Sequence, residues 1–190
     1  MIRTVKKGYR RFSPLIVGLN FSDIAVYKCI FNESWRYEPN KEDDWGKLFG
    51  WSFGLLPVKV DGKWVPAHQY NSIRVGIRYI PVLDCMELCL YTYSKGVRLV
   101  FEKGIYVPLH MEVTIELNTS PAVYPGVQQN NLVQANLKVI CSNLTRDIHA
   151  GLFEDGIGYL TGTYFGGHDA ELDMDTPAPH DISFEMIKIV

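Results

Sequence analysis

Two alternating segments carry the densest chemistry in this chain: Asn71-Ser72-Ile73-Arg74-Val75-Gly76-Ile77-Arg78 and Met86-Glu87-Leu88-Cys89-Leu90-Tyr91-Thr92-Tyr93. One set of alternate residues bears hydroxyl, guanidinium, carboxylate, thiol and phenol groups: Ser72, Arg74 and Arg78, then Glu87, Cys89, Tyr91 and Tyr93. The other set is apolar: Ile73, Val75 and Ile77, then Met86, Leu88 and Leu90. Side chains alternate across a strand, so each segment reads as a strand with one face on a core and one presented outward. If the two strands are neighbours, serine, arginines and tyrosines converge on one sheet surface and outline a ligand platform. The competing explanation is a polar outer face held by ordinary aromatic and charged cross-strand pairs.

The rest of the chain supplies the elements such a platform needs. Ile24 to Phe31 is mostly apolar and reads as an early strand, followed by a polar loop over residues 36–46. Gly50 to Gly54 reads as a tight, glycine-relieved segment leading to Val58-Lys59-Val60. Asp61-Gly62 is a strong hairpin signal before Lys63-Trp64-Val65, and Ser94-Lys95-Gly96 turns the chain into Val97 to Phe101. The clearest alternation sets Leu109, Met111, Val113, Ile115 and Leu117 against His110, Glu112, Thr114 and Glu116. A further run has Val133, Ala135, Leu137, Val139 and Cys141 on one face, and Ile182, Phe184 and Met186 mark a last strand. No segment shows a sustained helical period. Many short strands separated by turns predict an antiparallel sandwich or jelly roll.

Composition narrows the function classes. The 190 residues are 47% hydrophobic and 21% charged, which suits one globular domain with a proper core. A formal charge of -2 argues against a nucleic-acid binder, which usually carries a basic excess. No apolar run approaches the ~18 residues of a membrane span, and no secretory signal is evident, so synthesis in the cytoplasm is the expectation. The basic stretch Arg3, Lys6, Lys7, Arg10 and Arg11 reads as a solvated terminus or as an arm touching a partner protein. Cys29, Cys85, Cys89 and Cys141 have no zinc-like spacing, and Cys85 and Cys89 on one strand face would sit about 13 Å apart, too far for a disulfide. The five histidines are scattered without a metal pattern, and the acidic run Asp169 to Asp175 lacks a calcium-loop spacing, so neither a metal nor a cofactor is expected.

The order of several short motifs resembles a known family. Lys47-Leu48-Phe49-Gly50, Ser72-Ile73-Arg74, Tyr91-Thr92-Tyr93 and Tyr164-Phe165-Gly166-Gly167, followed by Ala178-Pro179, is similar to the small alginate and glucuronan lyases. The similarity spans roughly residues 45–190, leaving 1–44 as an N-terminal arm with the first strands. It implies a concanavalin-A-like jelly roll, an antiparallel β-sandwich, and a glycan partner, acidic or neutral. It also implies a cleft holding Lys47, Ser72, Arg74, Tyr91 and Tyr93. Such lyases remove a proton beside a uronate carboxylate, which requires a cation on the carboxylate and a base for the proton. Arg74 suits the first task through its planar fork, and Lys47, Tyr91 or Tyr93 the second. Ser72 would orient the sugar or the base, and Arg78 and Glu87 extend the same face as substrate-binding residues. The alternative from another class is a non-catalytic structural or assembly protein, a virion component if phage-encoded, since jelly rolls serve both purposes.

Overall fold

The computed structural model describes residues 1–12, 19–20, 22–38, 45–100, 104–121, 132–142, 144–154, 158–166, 168–169, 174–175 and 177–190. Along the chain, β1 (Ile2–Val5), β2 (Leu19–Asn20) and β3 (Ile24–Phe31) come first, and β4 (Gly46–Phe53) is the next long strand. Gly50 to Phe53 therefore belongs to a strand, not to the tight segment its glycines suggested. A hairpin of β5 (Val58–Val60) and β6 (Lys63–Val65) follows, turned by Asp61 and Gly62 at φ 47 and 81 as a type I′ turn requires. A single helical turn, α1 (Ala67–Tyr70), then leads into β7 (Ser72–Ile80) and β8 (Cys85–Ser94).

Lys95 and Gly96, again both at positive φ, return the chain into β9 (Val97–Val100), and β10 (Ile105–Pro108) follows. The long meander β11 (Glu112–Pro121), β12 (Leu132–Cys141) and β13 (Leu144–Glu154) comes next. β11 starts later than its alternation suggested, because His110 turns at φ 63 and its N–H bonds Phe31 O at 2.6 Å. His110 is thus a turn residue, not part of a strand face. β14 (Gly158–Thr161), the short pair β15 (His168–Asp169) and β16 (Met174–Asp175), and β17 (Ile182–Lys188) complete the order. The acidic run between β15 and β16 lies mostly outside the described residues, as does Gly167.

All pairings among the two main sheets are antiparallel. One sheet runs β1-β17-β3-β11-β12-β13; the other runs β10-β8-β7-β4-β14-β2, with β9 on the same edge of β8 as β10. The core lies between them. Tyr27, Cys29, Val113, Ile115, Leu117, Leu137 and Phe184 come from the first sheet, and Trp51, Ile73, Val75, Ile77, Leu88 and Leu90 from the second. Each such side chain, fully buried, is worth about 1.5–3 kcal/mol of apolar transfer. An aromatic cluster at one end joins distant parts of the chain: Trp35 lies 5.8 Å from the Phe12 ring and 5.6 Å from that of Phe31. The architecture is an antiparallel β-sandwich of the jelly-roll type.

The described residues among 1–44 are woven into this sandwich. β1 pairs β17, β3 sits between β17 and β11, and β2 edges the second sheet. The backbone of the basic stretch is tied to the sandwich, while Lys6, Lys7 and Arg11 stay exposed. Arg3 is buried, Lys6 Nζ lies 2.6 Å from Asp181, and the Lys7 N–H donates to the same carboxylate at 2.9 Å.

Candidate functional site

The two loaded strands are direct neighbours. β7 and β8 pair so that Ser72 opposes Tyr93, Arg74 opposes Tyr91, Gly76 opposes Cys89 and Arg78 opposes Glu87. Because the side-chain period is two, all of these residues share the face turned away from the core. β4 completes the floor on the other side of β7, with Gly50 opposite Arg74 and Lys47 opposite Gly76. Three residues of β4 thus span two of β7, a one-residue bulge. Without it Lys47 and Trp51, four apart, would face the same way. With it Lys47 joins the outer face while Trp51 stays in the core.

Gly50 makes the bulge possible. Its φ is +150, and a Cβ there would sit 2.2 Å from Ile73 O and 2.6 Å from Arg74 Cα, so no other residue fits. Gly76 performs a similar service in the groove floor, where a Cβ would meet Cys89 Sγ at 2.6 Å and Tyr91 Cβ at 3.1 Å. With that space kept empty, Lys47 Nζ lies 4.4 Å above the Tyr91 ring. The Lys47 ammonium also donates to Trp45 O at 2.6 Å and Gly166 O at 3.4 Å, while backbone bonds between Lys47 and Tyr164 dock the 163–166 segment along β4.

Arg74 is the electrostatic centre. It is 6% exposed, its guanidinium carbon is 5.6 Å from the rings of both Tyr91 and Tyr93, and one terminal amino group donates to His68 O at 2.8 Å. Its Nε is buried without a hydrogen-bond partner among the described residues. Burial lowers its pKa, opposed by Tyr91, Tyr93, Tyr159 and Tyr164, and no carboxylate figures among these neighbours. A guanidinium stays protonated in proteins, so the site holds a buried cation with a spare donor. Burial also pushes the Tyr91 phenol well above its usual range, with Tyr93 adding to the effect through its charge and a hydrogen bond. Tyr91 is therefore a neutral hydroxyl, whereas Tyr93 is half-buried and more open to the groove.

No protein-family model and no curated protein sequence matches the chain. The crystal structure of an alginate lyase from a Chlorella virus does match, with a TM-score of 0.52 at 13% identity, over 98% of this chain and 81% of that one. The two chains share the jelly-roll fold.

His68 is the site residue that sequence spacing did not reveal. α1 brings it over the groove, where its carbonyl accepts from both Ser72 Oγ at 2.7 Å and Arg74. Its ring Nδ1 lies 2.7 Å from the Tyr159 hydroxyl of β14. Burial, with the Arg74 charge adding to it, pushes the His68 pKa down to about 4, so the ring is neutral at pH 7. Nothing in a lone histidine within Pro-Ala-His-Gln-Tyr signals this. The missing information is that a single helical turn packs against the strand it precedes.

The structure thus brings Lys47, Ser72, Arg74, Tyr91 and Tyr93 together. Arg78 and Glu87 stand apart on the same face as a pair of their own. Arg78 Nε donates to Glu87 Oε2 at 2.6 Å, and the guanidinium lies 4.3 Å above the Trp45 ring. Trp45, read in the sequence as loop, is buried in the groove floor with Cys89 and Tyr91. Burial pushes the Cys89 thiol far up, so it is an inert floor residue and not a nucleophile.

Proposed function

We propose that this protein is a polysaccharide lyase that cleaves uronate polymers by β-elimination in the groove of the second sheet. The observation that carries the reading is Arg74: a buried guanidinium, without a carboxylate neighbour among the described residues and with an unpartnered Nε. A planar cation in that state is suited to a carboxylate ligand, and a uronate presents one beside the acidic carbon of the elimination.

The remaining groups fit the same chemistry. Arg74 takes the uronate carboxylate and stabilises the negative charge that spreads onto it as the adjacent C–H bond breaks. Tyr93, open to the groove and flanked by Arg74 and its strand partner Arg98, exchanges the proton. The C–H electron pair becomes the new C=C bond, the glycosidic C–O bond breaks, and the departing oxygen receives the proton. Tyr91, neutral and under Lys47, supports Tyr93 from below. Ser72 and the His68 carbonyl fix the orientation of Arg74. The likeness to a viral alginate lyase supports the reading at the level of fold.

The test is an assay of unsaturated sugar ends, followed by ultraviolet absorbance, on alginate, polymannuronate and polyglucuronate. Wild-type protein should generate them. Arg74→Ala and Tyr93→Phe should each lose about 100-fold or more in rate, the usual cost of removing a groove group that acts on the transition state. A well-folded wild type that releases no unsaturated ends from any of the three polymers overturns the lyase reading.

A further inference from the structure

The row of groove residues beyond Cys89 has a different character from the Arg74 centre. Arg78 of β7, Glu87 of β8 and Tyr106 of β10 are register partners across three strands, all on the groove face. Four residues along β7 separate Arg74 from Arg78, a distance of about 13 Å, farther than one sugar ring spans. Glu87 is 1% exposed, and its Oε2 holds the Arg78 Nε while the Trp45 ring supports the guanidinium from the other side. The Glu87 Oε1 has no hydrogen-bond partner among the described residues. The Tyr106 hydroxyl reaches the same carboxylate, and a charge buried this deeply is costly even when paired, so the row is a poor device for stability alone.

Space has been cleared for it. A Cβ at Gly104 would lie 2.3 Å from Glu87 Cγ and 2.4 Å from its Oε1, so only glycine leaves room for the carboxylate under β10. What the groove sees is the outer part of this row. The Arg78 side chain remains 23% exposed, and Tyr106 is 54% exposed beside it. Clamping between an indole face and a carboxylate leaves the guanidinium little freedom to lose on binding. The charges of Arg78 and Glu87 cancel, whereas Arg74 has no acidic counterpart among the described residues. A neutralised guanidinium beside a phenol offers hydrogen bonds and a flat ring without net charge.

We propose that Arg78 and Tyr106, with Glu87 as their positioning residue, form a second sugar subsite that binds hydroxyl groups of a neighbouring unit of the same chain. This rests on the uronate-polymer reading of the groove and adds a length requirement to it. Carboxylate recognition belongs to Arg74; the second subsite contributes reach and orientation.

Calorimetric titration with oligomannuronates and oligoglucuronates of graded length, from disaccharide to hexasaccharide, tests this in a Tyr93→Phe background that leaves the ligand uncut. Affinity should rise with length in that background. Tyr106→Ala, and Arg78→Met combined with Glu87→Gln so that no buried charge is stranded, should each abolish the rise. The loss on the longest ligand should be about five- to tenfold, the worth of one or two neutral hydrogen bonds, with disaccharide affinity unchanged. The length-dependent part should also survive added salt, which weakens an exposed charge contact. A rise retained in both variants overturns the subsite, and a rise that salt removes overturns its hydroxyl chemistry. Absence of binding at every length in both series, with wild type equally silent, overturns the underlying uronate reading instead.

Discussion

Replacing His68 by glutamine should flatten the acid limb of this protein's stability curve. Carried by α1, the ring lies edge-on to Tyr159 of β14 at 6.3 Å between centroids, with the Arg74 charge of β7 acting on it. An unfolded chain takes up the histidine proton near pH 6.5, whereas the fold resists it until about pH 4. Every step down in pH within that window therefore favours the unfolded chain. Above the window the ring is neutral in both states and contributes no pH dependence. A shift of this size corresponds to roughly 3 kcal/mol, and the partly open ring brings this down to about 1–2 kcal/mol. For a chain of this length that is a Tm loss of about 2–8 °C. The measurement is thermal and urea denaturation of wild type and His68→Gln at intervals from pH 7 to pH 4. The wild type should lose the extra 1–2 kcal/mol below pH 6.5 while the variant follows only the background of carboxylate titration. Parallel curves would refute the placement of a neutral, half-buried ring at this position. The variant keeps the backbone carbonyl that Arg74 and Ser72 use, so its folding at pH 7 is the internal control.

Three further outcomes follow from the packing. Gly76→Ala should push on Cys89 and Tyr91 and cost about 1–3 kcal/mol; denaturation and the rate of unsaturated-end release should both fall, the rate by more than stability accounts for. Gly158→Ala places a Cβ 1.5 Å from Ser52 O, a backbone atom that cannot move aside, so β14 should detach from β4 and hydrogen exchange should show its amides losing protection. Leu137→Ala in the fully buried centre of β12 should cost about 2–5 kcal/mol by urea denaturation and leave oligouronate affinity unchanged in the folded fraction.

How far the fold could be read from sequence depended on which faces were buried. β7, β8, β11 and β12 each have one face on the core, so their alternation is clean and their pairing faces were legible from Ile73, Leu88, Val113 and Leu137. Both hairpins at Asp61-Gly62 and Lys95-Gly96 were legible because the required positive φ selects those residues. β1 was not, since its four residues include Arg3, and only the pairing with β17, far along the chain, makes a strand of them. α1 is a single turn, too short for any period to appear.

The candidate site was legible to the extent that it lies on unbroken strands. Ser72, Arg74, Tyr91 and Tyr93 follow from alternation plus the neighbour pairing of β7 and β8. Lys47 does not, because the bulge between it and Gly50 reverses the phase of β4. Counted by twos from Trp51, Lys47 belongs in the core, and every residue of β4 is in fact buried, which removes the polar alternation as well. What places Lys47 over Tyr91 is a glycine whose φ of +150 lets two strands close around an extra residue. A period-two reading cannot see that. Within Lys47-Leu48-Phe49-Gly50, the glycine three residues on makes the bulge that turns Lys47 to the groove. Substituting Gly50 should therefore disable the groove by rotating Lys47 out of it, even though Gly50 contributes no side chain to the chemistry.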